Sequence, residues 1–350
     1  MARGRITGRN EALAPLTIKE LARLAGVSIG TVDRVLHQRG RVSAENTAKI
    51  EGLIAERGYK ANVFASRLSA GRAYTVGVLM PRSEQDFGYW SAIEKGIRRM
   101  ATELAPFQLT VHYQGFDRYD GADCARAFAE LLRPPCDALA LAPILNRVLG
   151  PLVDALPPDF PVVFFDTDMK CEHPHGFVGQ DPFLGGQLAA RLLALAVPAG
   201  LPLGLVRFEE DDQHLFQRAL GFESRCSALG HPVIALPQTF AAPVEERRLE
   251  VARFLLTHPQ LAGLFVPNAN VGEYARLGPG LRLVGYDLTD PNVQALREGR
   301  IDMLISQRPE TMGAEALRLL GRHLLFHEAL PASITLPLDV VLPENLEGLL

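Results

Sequence analysis

From residue 74 onward the chain alternates short apolar runs with longer amphipathic segments. The apolar runs, which predict strands, cover residues 75–80, 109–113, 138–141, 162–165, 203–206, 233–236, 264–266 and 281–286. Segments with helical spacing of apolar residues cover 90–104, 183–197, 213–229, 244–258 and 311–326. Continuous apolar strands separated by helices are typical of parallel sheets covered on both faces. The pattern predicts an α/β body with doubly wound parallel sheets, long enough for two lobes.

Residues 16–36 have a different pattern, that of two short helices with a tight turn between them. Thr17 and Glu20 fit a capping box, and Gly26 suits the left-handed end of the first helix. Ser28 is placed to cap the second helix, and a third is predicted over 43–57. This arrangement predicts a helix-turn-helix, which places a helix in the major groove of DNA. A small helical bundle without a role in DNA binding is the alternative.

The distribution of charge supports a DNA-binding head. Residues 1–72 hold 13 Lys and Arg and 6 Asp and Glu, whereas the whole chain has 36 and 40. The head therefore has a net charge of +7 and the remainder a net charge of −11. A basic head on an acidic body is expected if the head alone meets DNA phosphates.

Composition and cysteine spacing exclude several other classes of protein. No run of eighteen apolar residues occurs, and Met1–Arg5 is not followed by an apolar core, so we expect neither a membrane span nor a secretory signal. The four scattered cysteines are predicted to be reduced thiols rather than disulfides or metal ligands. His173 and His175 have no further ligands nearby in sequence, so we expect no metal and no cofactor.

Polar and aromatic side chains follow several of the predicted strands, where open parallel sheets bind ligands. The candidate ligand-binding residues are Arg82, Phe87, Trp90, Asp166, Asp181, Arg218, Asn268, Asp287 and Gln307. Carboxylates and amides pair with hydroxyl groups, and aromatic faces cover the C–H side of a sugar ring. The set predicts a polyhydroxylated ligand. Asp181 as a helix cap, Trp90 and Phe87 as core residues, and Asp287 and Asn268 as turn residues remain alternatives.

The head resembles the LacI (lactose-repressor) family over residues 16–36, Val42-Ser43 and 58–68, with Ala61 where the family usually has proline. The resemblance implies a hinge helix near 62–68 that orders on DNA. It also implies that Leu68 wedges into the minor groove and kinks the duplex. A linker leucine packed on the core is the alternative.

The same resemblance assigns the DNA contacts. They fall on Thr17, Ser28, Ile29, Gly30, Thr31, Arg34, Asn46, Asn62 and Leu68. Arg34 suits a guanine or a phosphate, and Ile29 suits either a thymine methyl or helix packing. Gly30 has no side chain, which favours recognition by shape and phosphate contacts. The hydroxyl and amide residues of the set suit phosphates, with plain helix capping as the alternative.

The body resembles the effector domain of the same family, which shares its two-lobed fold with periplasmic sugar-binding proteins. The family's usual ligand positions fall on Asp181, Arg218, Asn268, Asp287 and Gln307. The resemblance implies three crossovers between the lobes, near residues 198, 307 and 338. The predicted organisation is a basic arm (1–14), the helix-turn-helix (15–60), a hinge helix and linker (61–72), a first lobe (73–197 and 308–337) and a second lobe (198–307 and 338–350).

The preferred hypothesis is a ligand-responsive transcription regulator, a repressor of sugar uptake or catabolism genes, with no catalytic residues. Its expected partners are operator DNA, a sugar, polyol or sugar-acid effector, and a second copy of the chain in a dimer or tetramer. It would be cytoplasmic, and nucleoid-associated when bound to DNA. An enzyme on the same fold is the first alternative, although no glycine-rich phosphate loop follows a strand. A transport-type solute-binding protein is the second, and the basic head argues against it.

Overall fold

The computed structural model describes residues 18–36, 40, 42–57, 72–208, 212–238, 243–276 and 280–350. The chain divides into two compact units, Met1–Gly71 and Arg72–Leu350. Each unit is described by itself below.

The first unit contains three helices: α1 (Ile18–Ala25), α2 (Ile29–Leu36) and α3 (Ala44–Arg57). Leu21, Val32 and Ile50, one from each helix, are fully buried against one another in its core. The chain leaves α1 through Gly26, whose φ of +71° is in the left-handed region that favours glycine. These features confirm the predicted helix-turn-helix.

Serine side chains define where the second and third helices begin. Ser28 Oγ accepts a hydrogen bond of 3.2 Å from the Thr31 amide at the start of α2. Ser43 Oγ accepts one of 3.3 Å from the Asn46 amide at the start of α3. Each hydroxyl satisfies an amide that has no partner within its helix. Ser43 is thus the cap of α3 rather than its first residue.

The second unit alternates strands and helices, as predicted. Its strands are β1 (Tyr74–Pro81), β2 (Leu109–Phe116), β3 (Ala138–Leu141), β4 (Val162–Phe165), β5 (Gly176–Gly179), β6 (Leu203–Phe208), β7 (Val233–Gln238), β8 (Gly263–Phe265), β9 (Arg282–Tyr286), β10 (Met303–Ser306), β11 (Ser333–Thr335) and β12 (Asp339–Val341). Its α-helices are α4 (Tyr89–Leu104), α5 (Gly121–Leu131), α6 (Asn146–Asp154), α7 (Pro182–Ala196), α8 (Gln213–Leu229), α9 (Val244–Thr257), α10 (Val271–Tyr274), α11 (Asp290–Arg297) and α12 (Pro309–Phe326). Short 3-10 turns cover Asp86–Gly88, Ala105–Phe107 and Leu346–Gly348.

The strands form two six-stranded sheets with the same internal order. The first sheet runs β11-β5-β4-β3-β1-β2 and the second β12-β10-β9-β8-β6-β7. Apart from the edge strands β11 and β12, each strand of the second sheet has a number five higher than the strand in the same place of the first sheet. All pairs are parallel within the described residues except β10 with β12. The predicted α/β body with two doubly wound lobes is therefore confirmed.

The first crossover between the lobes comes earlier in the chain than predicted. Helix α7 packs along α8 and against strands of the second sheet. Its Ala189 and Leu193 are fully buried in the core of the second lobe, together with Phe222 and Phe265. The chain therefore crosses at Gln180–Asp181, ahead of α7, and not near residue 198. The apolar pattern of α7 predicts a helix but does not indicate which sheet covers it.

The other two crossovers lie between β10 and α12, at residues 307–308, and between β11 and β12, at residues 336–338. Within the part of the chain that the structure describes, no helix is both long enough and apolar enough to cross a lipid bilayer.

Candidate functional site

A polar cleft lies between the two lobes at the carboxyl ends of the central strands. It encloses about 380 Å³ of space not filled by protein atoms, part of it open to solvent. The first lobe contributes Asp86, Tyr89, Trp90, Arg118, Ile144 and Asp166, and the second contributes Asp212, His214, Leu215, Arg218, Asn268, Ala269, Asn270, Asp287 and Gln307. Most of these side chains are hydrogen-bond donors or acceptors.

The wall from the first lobe is organised around two carboxylates. The Tyr89 hydroxyl donates a hydrogen bond of 2.6 Å to Asp166 Oδ1. The Trp90 indole N–H donates one of 2.7 Å to Asp86 Oδ2, which also forms an ion pair with Arg118. Trp90 is only 1% exposed, so its ring forms part of the floor of the cleft. These bonds hold two aromatic and two acidic side chains in fixed positions.

The wall from the second lobe is a chain of three buried polar side chains. Arg218 donates from Nη1 to the Pro267 carbonyl at 2.8 Å and from Nη2 to Gln307 Oε1 at 2.5 Å. Gln307 Nε2 in turn donates to the two carboxylate oxygens of Asp287 at 3.1 and 3.0 Å. The Arg218 guanidinium also lies 3.9 Å above the Tyr286 ring, a cation–π contact.

Close packing of α7 against α8 determines where Arg218 lies. A Cβ atom on Gly186 of α7 would come within 1.9 Å of the Arg218 carbonyl oxygen. A Cβ on Gly221 of α8 would come within 2.0 Å of the Phe183 carbonyl oxygen. Only glycine at these two positions lets the helix backbones approach so closely. The approach places Arg218 over the ends of the second-lobe strands.

Asp166 and Asp287 occupy corresponding places in the two lobes. Each directly follows a central strand, β4 or β9, and each has a left-handed backbone, with φ of +71° and +69°. Aspartate tolerates this conformation better than most residues with a side chain. Each backbone amide donates to the neighbouring strand, Asp166 to Val178 and Asp287 to Ile305. The two turns direct one carboxylate from each lobe into the cleft.

Burial changes the acidity of these carboxylates. Burial raises the pKa of Asp287 to about 7, although Arg218 and the hydrogen bond from Gln307 oppose this rise. Burial also raises the pKa of Asp166, although His214 and the bond from Tyr89 oppose it. Burial acts on Asp212 in the same direction, but nearby His214 and Arg118 outweigh it and hold the pKa of Asp212 below its usual range. The cleft therefore has carboxylates of very different acidity.

Two donors of the second wall have no hydrogen-bond partner within the described residues. They are Arg218 Nε and Asn268 Nδ2, and both atoms are buried. A buried donor without a partner is unfavourable, so both positions favour a ligand with acceptor oxygens. Across the cleft, Arg118 Nη2 of the first lobe lies 3.6 Å from Asp212 Oδ2 of the second.

The structure brings six of the nine predicted ligand-binding residues together. These six are Trp90, Asp166, Arg218, Asn268, Asp287 and Gln307. Their positions after predicted strands indicate this grouping, because parallel strands bring their carboxyl ends to one edge of a sheet.

The other three predicted residues lie outside the cleft. Arg82 turns away from it and pairs with Asp123 at 2.8 Å. Phe87 is 42% exposed, because the left-handed turn Asp86–Gly88 directs its ring to solvent. Asp181 caps α7 by accepting a hydrogen bond of 3.0 Å from the Leu184 amide. For Asp181 the alternative of a helix cap is therefore the one observed.

Five further residues line the cleft that are not among the predicted ligand-binding residues: Asp86, Tyr89, Arg118, Asp212 and His214. A signal for Arg118 and Asp212 was present, since both follow strands that end at Phe116 and Phe208. Arg118 follows an edge strand, and Asp212 is preceded by three further acidic residues.

The predicted DNA-binding residues that are described lie on two helices of the first unit. Ser28 and Thr31 join their hydroxyls at 2.9 Å at the start of α2. Ile29 and Arg34 are exposed on α2, with Ile29 45% exposed, and Gly30 is exposed between them. Asn46 is half-buried at the start of α3. Thr17, Asn62 and Leu68, and with them the hinge helix, lie outside the described residues.

A search of the described residues finds no group of three or more His, Cys, Asp or Glu side chains arranged to hold a metal ion. His175 instead contacts Asp168 at 3.1 Å and the His173 carbonyl at 2.9 Å.

Comparison with known proteins agrees with this architecture. Residues 76–328 match the family model of the periplasmic binding protein domain, and residues 17–62 match that of the bacterial regulatory proteins, lacI family. Among solved structures, the body is similar to a putative LacI transcriptional regulator from Bacteroides fragilis. The TM-score is 0.71 at 24% identity, over 79% of this chain and 99% of that one. An ABC transporter solute-binding protein from Burkholderia graminis C4D1M, in complex with D-arabinose, has a TM-score of 0.69 at 17% identity, over 78% and 96%.

Sequence relatives are transcription regulators. The ribose operon repressor of Escherichia coli (strain K12) is 28% identical over 177 residues, 51% of this chain and 52% of the repressor. The HTH-type transcriptional regulator AglR of Rhizobium meliloti (strain 1021) is 42% identical over 67 residues, 19% of each chain. The chain thus spans about half or less of the length of these relatives. With a LacI-type head at its N-terminal end and a periplasmic binding protein domain over most of its length, the chain belongs to the LacI family of bacterial regulatory proteins.

Proposed function

We propose that this chain is a repressor of genes for carbohydrate uptake or catabolism, controlled by a small polyhydroxylated effector. It acts in the cytoplasm as a homodimer on operator DNA and catalyses no reaction. The observation that carries this proposal is the buried polar cleft, because its carboxylates, amides and unpartnered donors suit a ligand rich in hydroxyl groups.

The first unit supplies what DNA binding requires. Helix α2 begins at a serine cap and presents Ile29, Gly30 and Arg34 on its exposed side. In a helix-turn-helix the second helix enters the major groove with its N-terminal residues nearest the bases. Arg34 is assigned to a guanine or a phosphate and Ile29 to a thymine methyl. The exposure of Ile29 favours this assignment over packing in the core of the head.

The second unit supplies the effector site. Hydroxyl groups of a sugar can donate to Asp86, Asp166 and Asp287 and accept from Arg218 Nε and Asn268 Nδ2. Trp90 and Tyr89 offer aromatic surface to the C–H groups of a sugar ring. The guanidinium groups of Arg118 and Arg218 are already held by Asp86 and Gln307, which favours a neutral sugar or polyol over a sugar acid.

Control of DNA binding follows from closure of the lobes. An effector that contacts both walls favours the closed arrangement, and it shifts the equilibrium only by its difference in affinity for the two arrangements. Closure in a dimer changes the contacts between first lobes and thereby the spacing of the two heads.

A mobility-shift experiment tests the proposal. The full chain is titrated onto DNA from its own promoter at two salt concentrations, without sugar and with D-ribose, D-arabinose, D-glucose or D-galactose. We expect site-specific binding that weakens with salt, together with a change in affinity with at least one sugar. Binding that is equal on promoter and random DNA would reject a regulator of specific genes. Specific binding that none of the four sugars alters would contradict a sugar effector and leave the DNA-binding part of the proposal intact.

A further inference from the structure

The side chain of Gln180 connects all three segments that cross between the lobes. Gln180 itself lies in the first crossover and is only 5% exposed. Its Nε2 donates hydrogen bonds to the Ser306 carbonyl at 3.2 Å and to the Pro337 carbonyl at 2.8 Å. Ser306 leads into the second crossover, and Pro337 lies in the third. One amide group therefore joins positions 126 and 157 residues away in the chain.

The two carbonyl partners fix the orientation of this amide. An amide nitrogen has two N–H donors, and here each has a carbonyl acceptor. The reverse orientation would place Gln180 Oε1 against two other oxygens. In the orientation observed, Oε1 is buried and has no hydrogen-bond partner within the described residues. An apolar side chain at this position loses the two donated bonds.

A second connection at the hinge is different in kind. Arg308 and Asp339 form a two-pronged ion pair, with both N–O distances 2.7 Å, between the second and third crossovers. This pair is partly exposed to water and does not include the first crossover. The Leu336 amide donates to the Gly179 carbonyl at 2.7 Å and joins the first and third crossovers through the backbone alone. The buried amide of Gln180 is the side chain that joins the first crossover to both of the others.

The hydrogen bonds of Gln180 also connect the hinge to the polar cleft, because one of their acceptors belongs to the residue that precedes a cleft residue. Ser306, whose carbonyl accepts from Gln180, is followed by Gln307, whose side chain contacts both Arg218 and Asp287. Gln307 follows β10 as Gln180 follows β5, so the two glutamines occupy corresponding places in the two lobes. One of them faces the cleft and the other faces the crossovers.

We propose that Gln180 is a positioning residue that couples contact at Gln307 to the rotation of the lobes about their three crossovers. The inference rests on the proposed function of the cleft, because it assigns a regulatory role to the hinge beneath it. When both hydrogen bonds of Gln180 are present, the three crossovers move together and the lobes rotate about one axis. Without these bonds, the first and second crossovers lose the side chain that joins them, and the lobes adopt a wider range of arrangements.

The test compares Gln180→Met with a matched substitution, Gln114→Met, in the full chain. Methionine keeps the length of the side chain and removes the donor. Gln114 lies on β2, away from the crossovers, and its side chain donates to Glu130 at 3.2 Å. Two properties are measured without ligand: the distribution of distances between fluorophores placed at exposed Glu103 and Ser227, and amide hydrogen exchange at residues 306–308, 336 and 338.

We expect Gln180→Met to broaden the distance distribution and to speed exchange at both crossovers by about fivefold or more, a loss of protection of roughly 1 kcal/mol. Gln114→Met should change neither property. Gln180→Asn, which keeps the amide but is one methylene shorter, should give an intermediate result and serves if the methionine variant does not fold. Distances and exchange equal to those of the unmodified chain would overturn the proposal. Neither measurement uses a sugar, so a failure of the proposed effector class would be seen separately.

Discussion

The Tyr89 hydroxyl donates a hydrogen bond of 2.6 Å to Asp166 Oδ1, and this bond joins the start of α4 to the end of β4 in the wall of the cleft. Both side chains are buried. A hydroxyl donor stabilises an ionised carboxylate more than a protonated one, so the bond opposes the rise in the pKa of Asp166 that burial causes.

Replacing Tyr89 by phenylalanine should therefore destabilise the protein and do so more at neutral than at acid pH. We expect a loss of about 1–3 kcal/mol in the free energy of unfolding near pH 7, because the buried carboxylate loses a donor. The loss should shrink as Asp166 becomes protonated. Denaturant unfolding at several pH values measures it. Tyr113→Phe is the matched control, since the Tyr113 hydroxyl is buried without a partner in the described residues, and its removal should cost little. Equal losses in the two variants would contradict the assignment.

Asp287 should make the protein less stable as pH rises from about 4 to about 7. Its folded-state pKa, about 7, lies above the value of about 3.9 for an unfolded chain, so the folded state binds more protons in this window. The contribution of Asp287 is greatest below the unfolded pKa and is lost as pH rises through the folded pKa. The slope approaches about 1.4 kcal/mol per pH unit at its steepest.

Asp287→Asn tests this pH dependence, because asparagine does not titrate. The difference in unfolding free energy between the two proteins should change across the window and become constant above it. A difference that is constant from pH 4 to 8 would show that Asp287 ionises normally in the folded protein.

Trp90 is the single tryptophan of the chain, and its ring lines the cleft at 1% exposure. Its fluorescence should be that of a buried indole and should change in intensity or wavelength when an effector binds. Monitoring this fluorescence during titration with D-ribose, D-arabinose, D-glucose or D-galactose measures effector binding without an added label. Trp90→Phe should abolish the signal, and a sugar that alters DNA binding without altering the fluorescence of Trp90 would place the effector elsewhere.

Asp181 should act on stability and not on effector binding. Removal of a carboxylate cap costs about 1 kcal/mol, so Asp181→Ala should lower the unfolding free energy by that amount. Asp120→Ala, which removes the corresponding cap of α5, should behave in the same way. If Asp181→Ala lost the response to the effector and Asp120→Ala kept it, Asp181 would be a ligand-binding residue after all.

Arg34→Ala should weaken binding to the operator by about 1–3 kcal/mol if the side chain reads a base. Arg23→Ala, at an exposed position near the end of α1, is the matched control and should have a smaller effect. The affinities are measured on operator and random DNA at the same salt concentration. Equal weakening on both DNAs would make Arg34 a phosphate contact.

The sequence predicts most of this architecture because its signals are local. Apolar runs indicate the strands, and the capping residue Ser28 indicates where the second helix of the head begins. Asp166 and Asp287 can be predicted as site residues because each directly follows a buried strand, and parallel sheets bind ligands at the carboxyl ends of their strands. The alternatives weighed for Asp181 included the one that the structure shows.

What the sequence does not indicate depends on packing between distant elements. The lobe to which α7 belongs follows from the glycines that fit it against α8, and no local pattern shows their partners. The bond between Arg118 and Asp86 depends on a left-handed turn at residues 86–88 that periodicity does not predict. Gln180 is likewise an ordinary glutamine in the sequence, and its two carbonyl partners appear only once three separate segments are placed side by side.

The matching strand order of the two sheets means that each wall of the cleft is built by an independent piece of chain. A substitution after β4 changes what one half of an effector meets and leaves the geometry after β9 intact. Under the proposed function, the part of an effector that each wall meets can therefore change by substitutions in that wall alone.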